Sequence, residues 1–502
     1  MARATGLRPL GPRLDSTWGL LAWLLVPLVA VTAIGPVDET DVYWHLKMGE
    51  DILANGRFGG DPAWNYGPAD AAWVTTQAAA EVLLHVIYSV GSWSGLVAFR
   101  IALGALVALS VLAALTRVVG KRPDLVVGRS VALVGTVTVA SLVPYIQERP
   151  QTLSLLILPW IGLMSLRVMY ADRWPRWWVV GLLVMVWSWF HGAAVLVGPL
   201  LAVAALIHAL GAGGLKWLPV LVRSVRRGWL VVLVAVLAPM VSPLGLGYYP
   251  QAMKIQEAAS NRIVEWMAPD ANNGVFALAL TLVAIWMISV VRLAASSGRV
   301  WRTFRMDMLF LILMVIVASQ AGRYLAIVTL LVSPLVARRL AQAWSRPSVK
   351  IERLKRRPAQ IVLVLVWVAV LIVTGLSISH AKPVAKDRPL RIWTALASQP
   401  EERRAFVSYN LGGQAMLIGD VVVNIDGRSD RYGGHRIDLI RDAGAGRSSW
   451  EKTFSEYPGT TDVVLGNGTA LLDILKKRGW QVACTDAGFT WLTAPGVSGS
   501  CD

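Results

Sequence analysis

Apolar residues in this chain come in blocks of roughly 20, separated by short basic stretches. A helix of about 20 apolar residues crosses the ~30 Å hydrocarbon core of a bilayer. With 55% hydrophobic and only 16% charged residues over 502 positions, so much apolar surface cannot be hidden in an ordinary soluble core. The pattern predicts an α-helical polytopic membrane protein and excludes a disordered chain, a disulfide scaffold and a coiled coil. Eleven spans are expected, near 17–35, 95–116, 130–146, 151–168, 177–191, 193–212, 228–245, 273–292, 306–319, 322–338 and 359–379. The first follows Arg3, Arg8 and Arg13 and is too long for a cleaved signal, so it is expected to stay as an anchored helix.

The formal charge of +17 is explained by where the basic residues fall. They cluster in every second connecting segment: Arg117, Lys121, Arg122 and Arg129; Arg167, Arg173 and Arg176; Lys216, Arg223, Arg226 and Arg227; Arg292, Arg299, Arg302 and Arg305; and the run from Arg338 to Arg357. The positive-inside rule then puts the N-terminus and these segments in the cytoplasm and the C-terminus outside. The excess charge is topology, with attraction to anionic lipid at the inner surface, and not a nucleic-acid footprint. High Ala, Val, Arg and Trp usage suits a GC-rich bacterium, which would place the chain in its inner (plasma) membrane.

Residues 1–379 form the expected membrane domain and 380–502 a small extracytoplasmic α/β domain. In the latter, Val421–Val423 and Val463–Leu465 read as strands and Ala470–Lys477 as a helix. Both cysteines, Cys484 and Cys501, lie there on the oxidising side. A disulfide between them would close the tail, although sequence does not fix its geometry. Neither Cys/His metal spacing, a Walker loop, a G-x-G-x-x-G motif nor a convincing internal repeat is present.

Some polar residues are not explained by the bilayer. Loop 36–94 is acidic, with Asp38, Glu39 and Asp41 directly after the first span. Tyr43 and Trp44 suit an interfacial aromatic belt, residues 41–54 a short amphipathic helix lying on the membrane, and 77–90 a second one carrying Glu81 and His85. Arg100, Arg149, His191, Glu265 and Arg323 all map to outer helix ends. Together they describe an outward-opening cavity of both charges. Carboxylates there can deprotonate a hydroxyl or hold a divalent cation, and arginines can grip a lipid phosphate.

The segment Asp41-Val42-Tyr43-Trp44-His45-Leu46-Lys47-Met48-Gly49-Glu50 resembles the D-x-W-W-H-L-x-x-G-E opening of a large set of bacterial membrane proteins akin to the GT-C glycosyltransferases. The likeness continues through Gly56-Arg57, Asp61-Pro62, Trp73 and Glu81–Leu84. It recurs at Arg149-Pro150, at Trp187 with His191-Gly192, at Ile263–Trp266 and at Arg323, and ends at Tyr409–Gly413 and Asp426–Tyr432. Four positions depart from the family pattern: Tyr43 replaces its second Trp, Thr76-Gln77 its H-E pair, and Trp189 its Asn before H-G. The resemblance implies a GT-C-like fold and transfer of a sugar from a polyprenyl phosphate to a cell-envelope glycan or lipid.

It also puts the catalytic base on Asp41, with Asp38 second. His191 and Glu265 complete the expected catalytic set, and Arg149, Arg323, Arg100, Trp44 and His45 the substrate- and phosphate-binding set. Mg²⁺ or Mn²⁺ held by Asp38, Glu39 and Asp41 is an alternative use of those carboxylates. A non-catalytic carrier or assembly protein for an envelope lipid or polysaccharide is the rival reading.

Overall fold

The computed structural model describes residues 11–14, 16–70, 72–270, 272–296, 301–345, 356–378 and 388–501. The junction expected at 379/380 lies outside them, as do Arg3, Arg8 and Arg299. The first helix, α1 (Thr17–Thr32), is capped by Ser16, whose hydroxyl accepts the Gly19 amide at 3.0 Å. After it come α2 (Val42–Asn55) and a 42-residue helix, α3 (Ala78–Val119). Ser92 interrupts α3 with φ 52°, so the expected surface helix and the expected second span are two limbs of one bent element.

The membrane part continues with α4 (Asp124–Leu142), α5 (Pro150–Ala171), α6 (Trp177–Phe190), α7 (Val197–Gly213) and α8 (Trp217–Leu237). It is completed by α9 (Tyr248–Ala259), α10 (Gly274–Ser296), α11 (Trp301–Ala318), α12 (Tyr324–Ala343) and α13 (Arg356–Ile378). Each expected span falls on one of these helices. Among the described residues, seven helices are long and apolar enough to cross a membrane, eight if the pair α8–α9, bent by 112°, is taken as one broken span. Shorter apolar helices α1 and α6 pack with them, α12 being the most enclosed of the long helices and α13 the least. The protein is a multi-pass membrane protein.

One charge buried within the bundle is matched. Asp307 on α11 accepts from Arg339 Nε at 2.6 Å and Nη2 at 2.7 Å and from Trp286 Nε1 at 3.0 Å, with Tyr170 completing the group. A carboxylate so enclosed survives only with its donors in place.

The C-terminal domain carries α14 (Leu390–Ala397), β1 (Arg404–Val407), α15 (Gly412–Ile418), β2 (Val422–Val423), α16 (Ser429–Gly444) and α17 (Trp450–Ser455). Beyond these lie β3 (Asp462–Gly466), α18 (Ala470–Lys477), β4 (Gln481–Asp486) and β5 (Phe489–Thr493). The strands form one sheet in the order β2-β1-β3-β5-β4, parallel across β2, β1 and β3 and antiparallel at β3–β5 and β5–β4. Cys484 and Cys501 are bonded, with 5.7 Å between their Cα atoms, and tie the tail to β4.

The surface helix expected at 41–54 is present as α2, but it does not lie open on the membrane. It is sandwiched between α3 and α15, and Tyr43, Trp44, His45, Leu46 and Met48 are all buried. Gly49 permits the closest approach: a Cβ there would stand 2.2 Å from the Glu81 carbonyl oxygen of α3. Tyr43 packs on Trp93 and accepts a hydrogen bond from Arg388 at 2.7 Å, so it is a domain contact and not part of a lipid-facing belt. The sequence pattern of α2 records one apolar face; the C-terminal domain supplies the cover for the other.

Candidate functional site

A cavity of about 1620 Å³ lies between the membrane helices and the C-terminal domain. Its floor is made by helix termini. Arg149 is the N-cap residue of α5 and precedes Pro150, whose missing amide suits the first helical turn. Arg323 holds the same position on α12, and His191 ends α6. Asp41 begins α2, so one turn of helix puts Trp44 and His45 on its side of the cavity. Glu265 sits in a 3-10 turn (Val264–Trp266) pinned to the start of α12 by Arg323 N to Glu265 O at 3.0 Å and Gly322 N to Met267 O at 2.8 Å.

Three carboxylates converge on Arg149. Its Nε is 3.1 Å from Glu39 Oε2, its Nη1 donates to Glu265 Oε2 at 2.9 Å, and its Nη2 donates to Asp41 Oδ2. Arg323 shares Glu265 at 3.4 Å, donates to Gln151 and lies over Trp266 with 4.3 Å between guanidinium and ring centre. Burial pushes the Glu39 carboxyl up to about 7 against the pull of Arg149, with Asp41 and Glu265 adding to the rise. The three carboxylates together hold Arg149 firmly protonated despite its burial.

His191 has a defined tautomer. Its Nδ1 receives the Ala193 amide at 3.3 Å and faces Ser154 Oγ at 2.8 Å, and that oxygen itself accepts from Trp187 Nε1 at 2.8 Å. Ser154 therefore donates to Nδ1, and the imidazole proton resides on Nε2. Beside it, His45 is kept neutral by burial, although Glu81 opposes this with its carboxylate 3.3 Å from Nδ1. Thr75 donates to the same Glu81 oxygen at 2.8 Å. Of the positions that depart from the family pattern, Gln77 places its amide 3.5 Å from His45 Nδ1, and Trp189 packs edge-on to Phe58 at 6.3 Å.

Asp41, Glu265, Arg149, Arg323, His191, Trp44 and His45 are thus brought to one cavity. Asp38 reaches only its rim; its side chain is largely exposed and faces Arg388 at 3.6 Å. Arg100 is the correction. Its guanidinium donates to the carbonyls of Ala33 at 2.9 Å, Gly35 at 2.6 Å and Pro36 at 3.1 Å, and pairs with Glu148 at 2.9 Å. It caps the open end of α1 and takes no place in the cavity lining.

Asp426-Gly427-Arg428 is the clamp between the domains. Arg428 Nε is 2.8 Å from Asp426 Oδ1 and its Nη2 is 2.6 Å from Oδ2, while Nη2 also donates to Asn65 Oδ1 at 2.7 Å. Tyr432 donates to Asp426 at 2.6 Å, and the guanidinium lies over the rings of Trp64 and Trp73. Asp430 accepts from Trp73 Nε1 at 2.8 Å and Gln251 Nε2 at 2.5 Å. One motif of the C-terminal domain therefore holds both the first loop and α9.

The residues present do not fit a divalent metal ion. Among the described residues no group of three or more His, Cys, Asp or Glu side chains is arranged to hold one. Glu39, Asp41 and Glu265 are spent on Arg149, whose guanidinium occupies the centre between them, and Asp38 is turned away to Arg388.

No family model and no curated protein matches the chain by sequence. Solved structures match by fold. The archaeal oligosaccharyltransferase AglB from Archaeoglobus fulgidus, in complex with an inhibitory peptide and a dolichol-phosphate, aligns with TM-score 0.51 at 12% identity, over 90% of this chain and 69% of that one. The same enzyme in complex with Zn and sulfate aligns with TM-score 0.50 at 12% identity, over 89% and 68%. ArnT from Cupriavidus metallidurans bound to undecaprenyl phosphate covers 95% of this chain and 97% of its own, with TM-score 0.46 and 14% identity. The chain has the GT-C fold, with a small C-terminal sheet domain.

Proposed function

We propose that this protein transfers a sugar from a polyprenyl-phosphate carrier to a hydroxyl of a cell-envelope glycan or lipid. The observation that carries the reading is a carboxylate, Asp41, set beside two arginines in a cavity between membrane helices and a soluble domain. Asp41 takes the proton of the acceptor hydroxyl, the hydroxyl oxygen bonds to the anomeric carbon, and the bond from that carbon to the phosphate oxygen breaks. The departing polyprenyl phosphate keeps the electron pair. Arg149, Arg323 and His191 Nε2–H stabilise its charge, and Glu265 holds the two arginines at their spacing. Apolar residues Leu155, Leu158, Val317 and Ile327 line the side of the cavity suited to the lipid chain. The basic segments put the N-terminus in the cytoplasm and the C-terminal domain, with the cavity, on the opposite face of a bacterial inner membrane.

Mg²⁺ and Mn²⁺ have no part in this reading, because Arg149 and Arg323 supply the positive charge. Transfer is expected to persist in excess EDTA. Loss with EDTA and return with either cation would overturn that assignment.

Donor affinity is expected to depend on pH through Glu39. Above about 7 its carboxylate competes for Arg149; below, it is protonated and releases the guanidinium. Binding of a polyprenyl-phosphate sugar, whose phosphodiester does not titrate in this range, should tighten as pH falls from 8 to 6. Glu39→Gln should bind tightly and flatly across that range, whereas an unchanged profile would remove Glu39 from the explanation.

The function itself is tested by binding and turnover on one sample of purified protein. A polyprenyl-phosphate sugar should bind and lose its sugar to an envelope extract, and the uncharged polyprenol should not compete. Binding without turnover would favour the carrier reading; no binding would end both.

A further inference from the structure

Trp344, the C-cap residue of α12, carries on its ring a guanidinium from each of two other helices. Arg129 of α4 lies 4.5 Å from the ring centre and Arg292 of α10 lies 4.0 Å from it. Arg129 Nη2 also donates to the Trp344 carbonyl at 3.1 Å, which ties α4 to the end of α12. The trio stands at the membrane face opposite the cavity, because two helices run between them. Arg323, in the cavity lining, opens α12 and Trp344 closes it; Arg129 is near the start of α4, whose end leads to Arg149. Two like charges on one ring repel unless something negative joins them. Among the described residues no carboxylate pairs with either arginine. Asp124, at the start of α4, is taken by Arg13 at 3.0 Å, and Asp307 by Arg339 at 2.6 Å. Arg129 Nε and Trp344 Nε1 are enclosed without an acceptor, so the protein offers donors here and nothing to receive them. Those two nitrogens are out of reach of a ligand. The accessible donors are the exposed guanidinium of Arg292 and Arg129 Nη1.

We infer that Arg129 and Arg292, held by the Trp344 ring, form a seat for the phosphate of an anionic glycerophospholipid at the membrane face away from the cavity. The apolar surroundings argue for a lipid over a dissolved phosphate. One turn toward the membrane centre, Leu133 stands on the Arg129 face of α4 and Ile288 on the Arg292 face of α10, 39% and 56% exposed. Helices α4 and α10 pack against one another, so the two arginines crown a shared apolar wall that an acyl chain can follow. A guanidinium is suited to the phosphate because its donors form a planar fork, and its weak hydration lets it stack on the indole at the same time. The bound phosphate would cancel the repulsion across Trp344 and join three helices at one end. The site uses no residue of the cavity and does not depend on the transferase reading.

The test is native mass spectrometry of the full-length protein released from nanodiscs of phosphatidylcholine that contain a minor fraction of phosphatidylglycerol. Wild type should retain phosphatidylglycerol about 10-fold or more above its share of the bilayer. Arg292→Gln removes an exposed side chain that the fold can spare. It should lower that enrichment about 5-fold, the worth of one basic residue at an anionic lipid surface. Arg129→Gln added to it should abolish the preference. Phosphatidylglycerol should also raise the melting temperature of wild type more than that of Arg292→Gln. Arg223→Gln, at an exposed arginine of α8, should change nothing; an equal loss there would reveal a diffuse basic surface and overturn the site. Glycerol 3-phosphate should not displace the lipid, and displacement would mean that a dissolved phosphate is the ligand, which overturns the lipid assignment. Equal enrichment in wild type and the double variant would overturn the proposal outright.

Discussion

Asp41→Asn should reduce sugar transfer by about 10²- to 10⁴-fold, the range a positioned general base contributes, and leave the protein folded and able to bind its lipid donor. The fold tolerates the change for identifiable reasons. The Asp41 side chain makes no capping hydrogen bond to α2, so the helix start does not depend on its charge. Arg149 keeps two further carboxylates, Glu39 and Glu265, and so is not left uncompensated. An asparagine fits the same space under Gly427, yet it cannot take a proton. Asp38→Asn is the control: that side chain sits at the cavity rim beside Arg388, and its loss should cost little. A variant at Asp41 that turns over like wild type would place the base elsewhere.

The second large effect is on stability. Arg428→Ala should destabilise the protein by about 3–5 kcal/mol, the usual result of stripping one partner from a buried ion pair. Asp426 would then remain fully enclosed, with only Tyr432, Asn65 and the amide of residue 428 for company. The loop residue Asn65 would lose one of its ties to the C-terminal domain, the bond from Arg428, so thermal melting and protease cleavage near residue 65 should both register the change. Replacing both members of the pair with apolar residues of similar volume should recover much of the loss. Acid should act on the same pair. Burial alone would raise the Asp426 carboxyl, but Arg428, Tyr432 and a backbone amide outweigh it and hold it down at about 2. A carboxylate depressed in the fold stabilises it above its unfolded value of about 3.9. That contribution is lost as pH falls from about 4 toward 2. An Arg428→Ala protein that melts with wild type would show that the clamp is not what joins the domains.

Much of this molecule is legible along the chain, because the bilayer imposes a length and an apolarity that can be counted. Helices at all the expected spans, the strands at Val422–Val423 and Asp462–Gly466 and the helix Ala470–Lys477 follow from local periodicity. The polar residues at helix ends were also readable, since a charge at that depth needs a reason. What they touch was not. Arg149 meets Asp41 from 108 positions away and Glu265 from 116, and no local pattern distinguishes that cage from a set of separate surface charges. Arg100 shows the cost: its depth is the same, yet it serves the open carbonyls that end α1. Trp44 looked like a belt residue because its cover, α15 and Gly427, lies at the far end of the sequence. The Asp426–Arg428 clamp was hidden for a related reason, as Asp-Gly-Arg is by itself a good turn.

The most direct measurement of the central claim is label transfer from a panel of radiolabelled polyprenyl-phosphate sugars to an envelope extract, with wild type and Asp41→Asn side by side and donor binding measured on both. The account predicts that one donor loses its label to the extract with wild type, that Asp41→Asn binds that donor at least as well, and that its transfer falls by at least about 10²-fold. Label moved equally by both proteins, or donor bound by both and moved by neither, would contradict it.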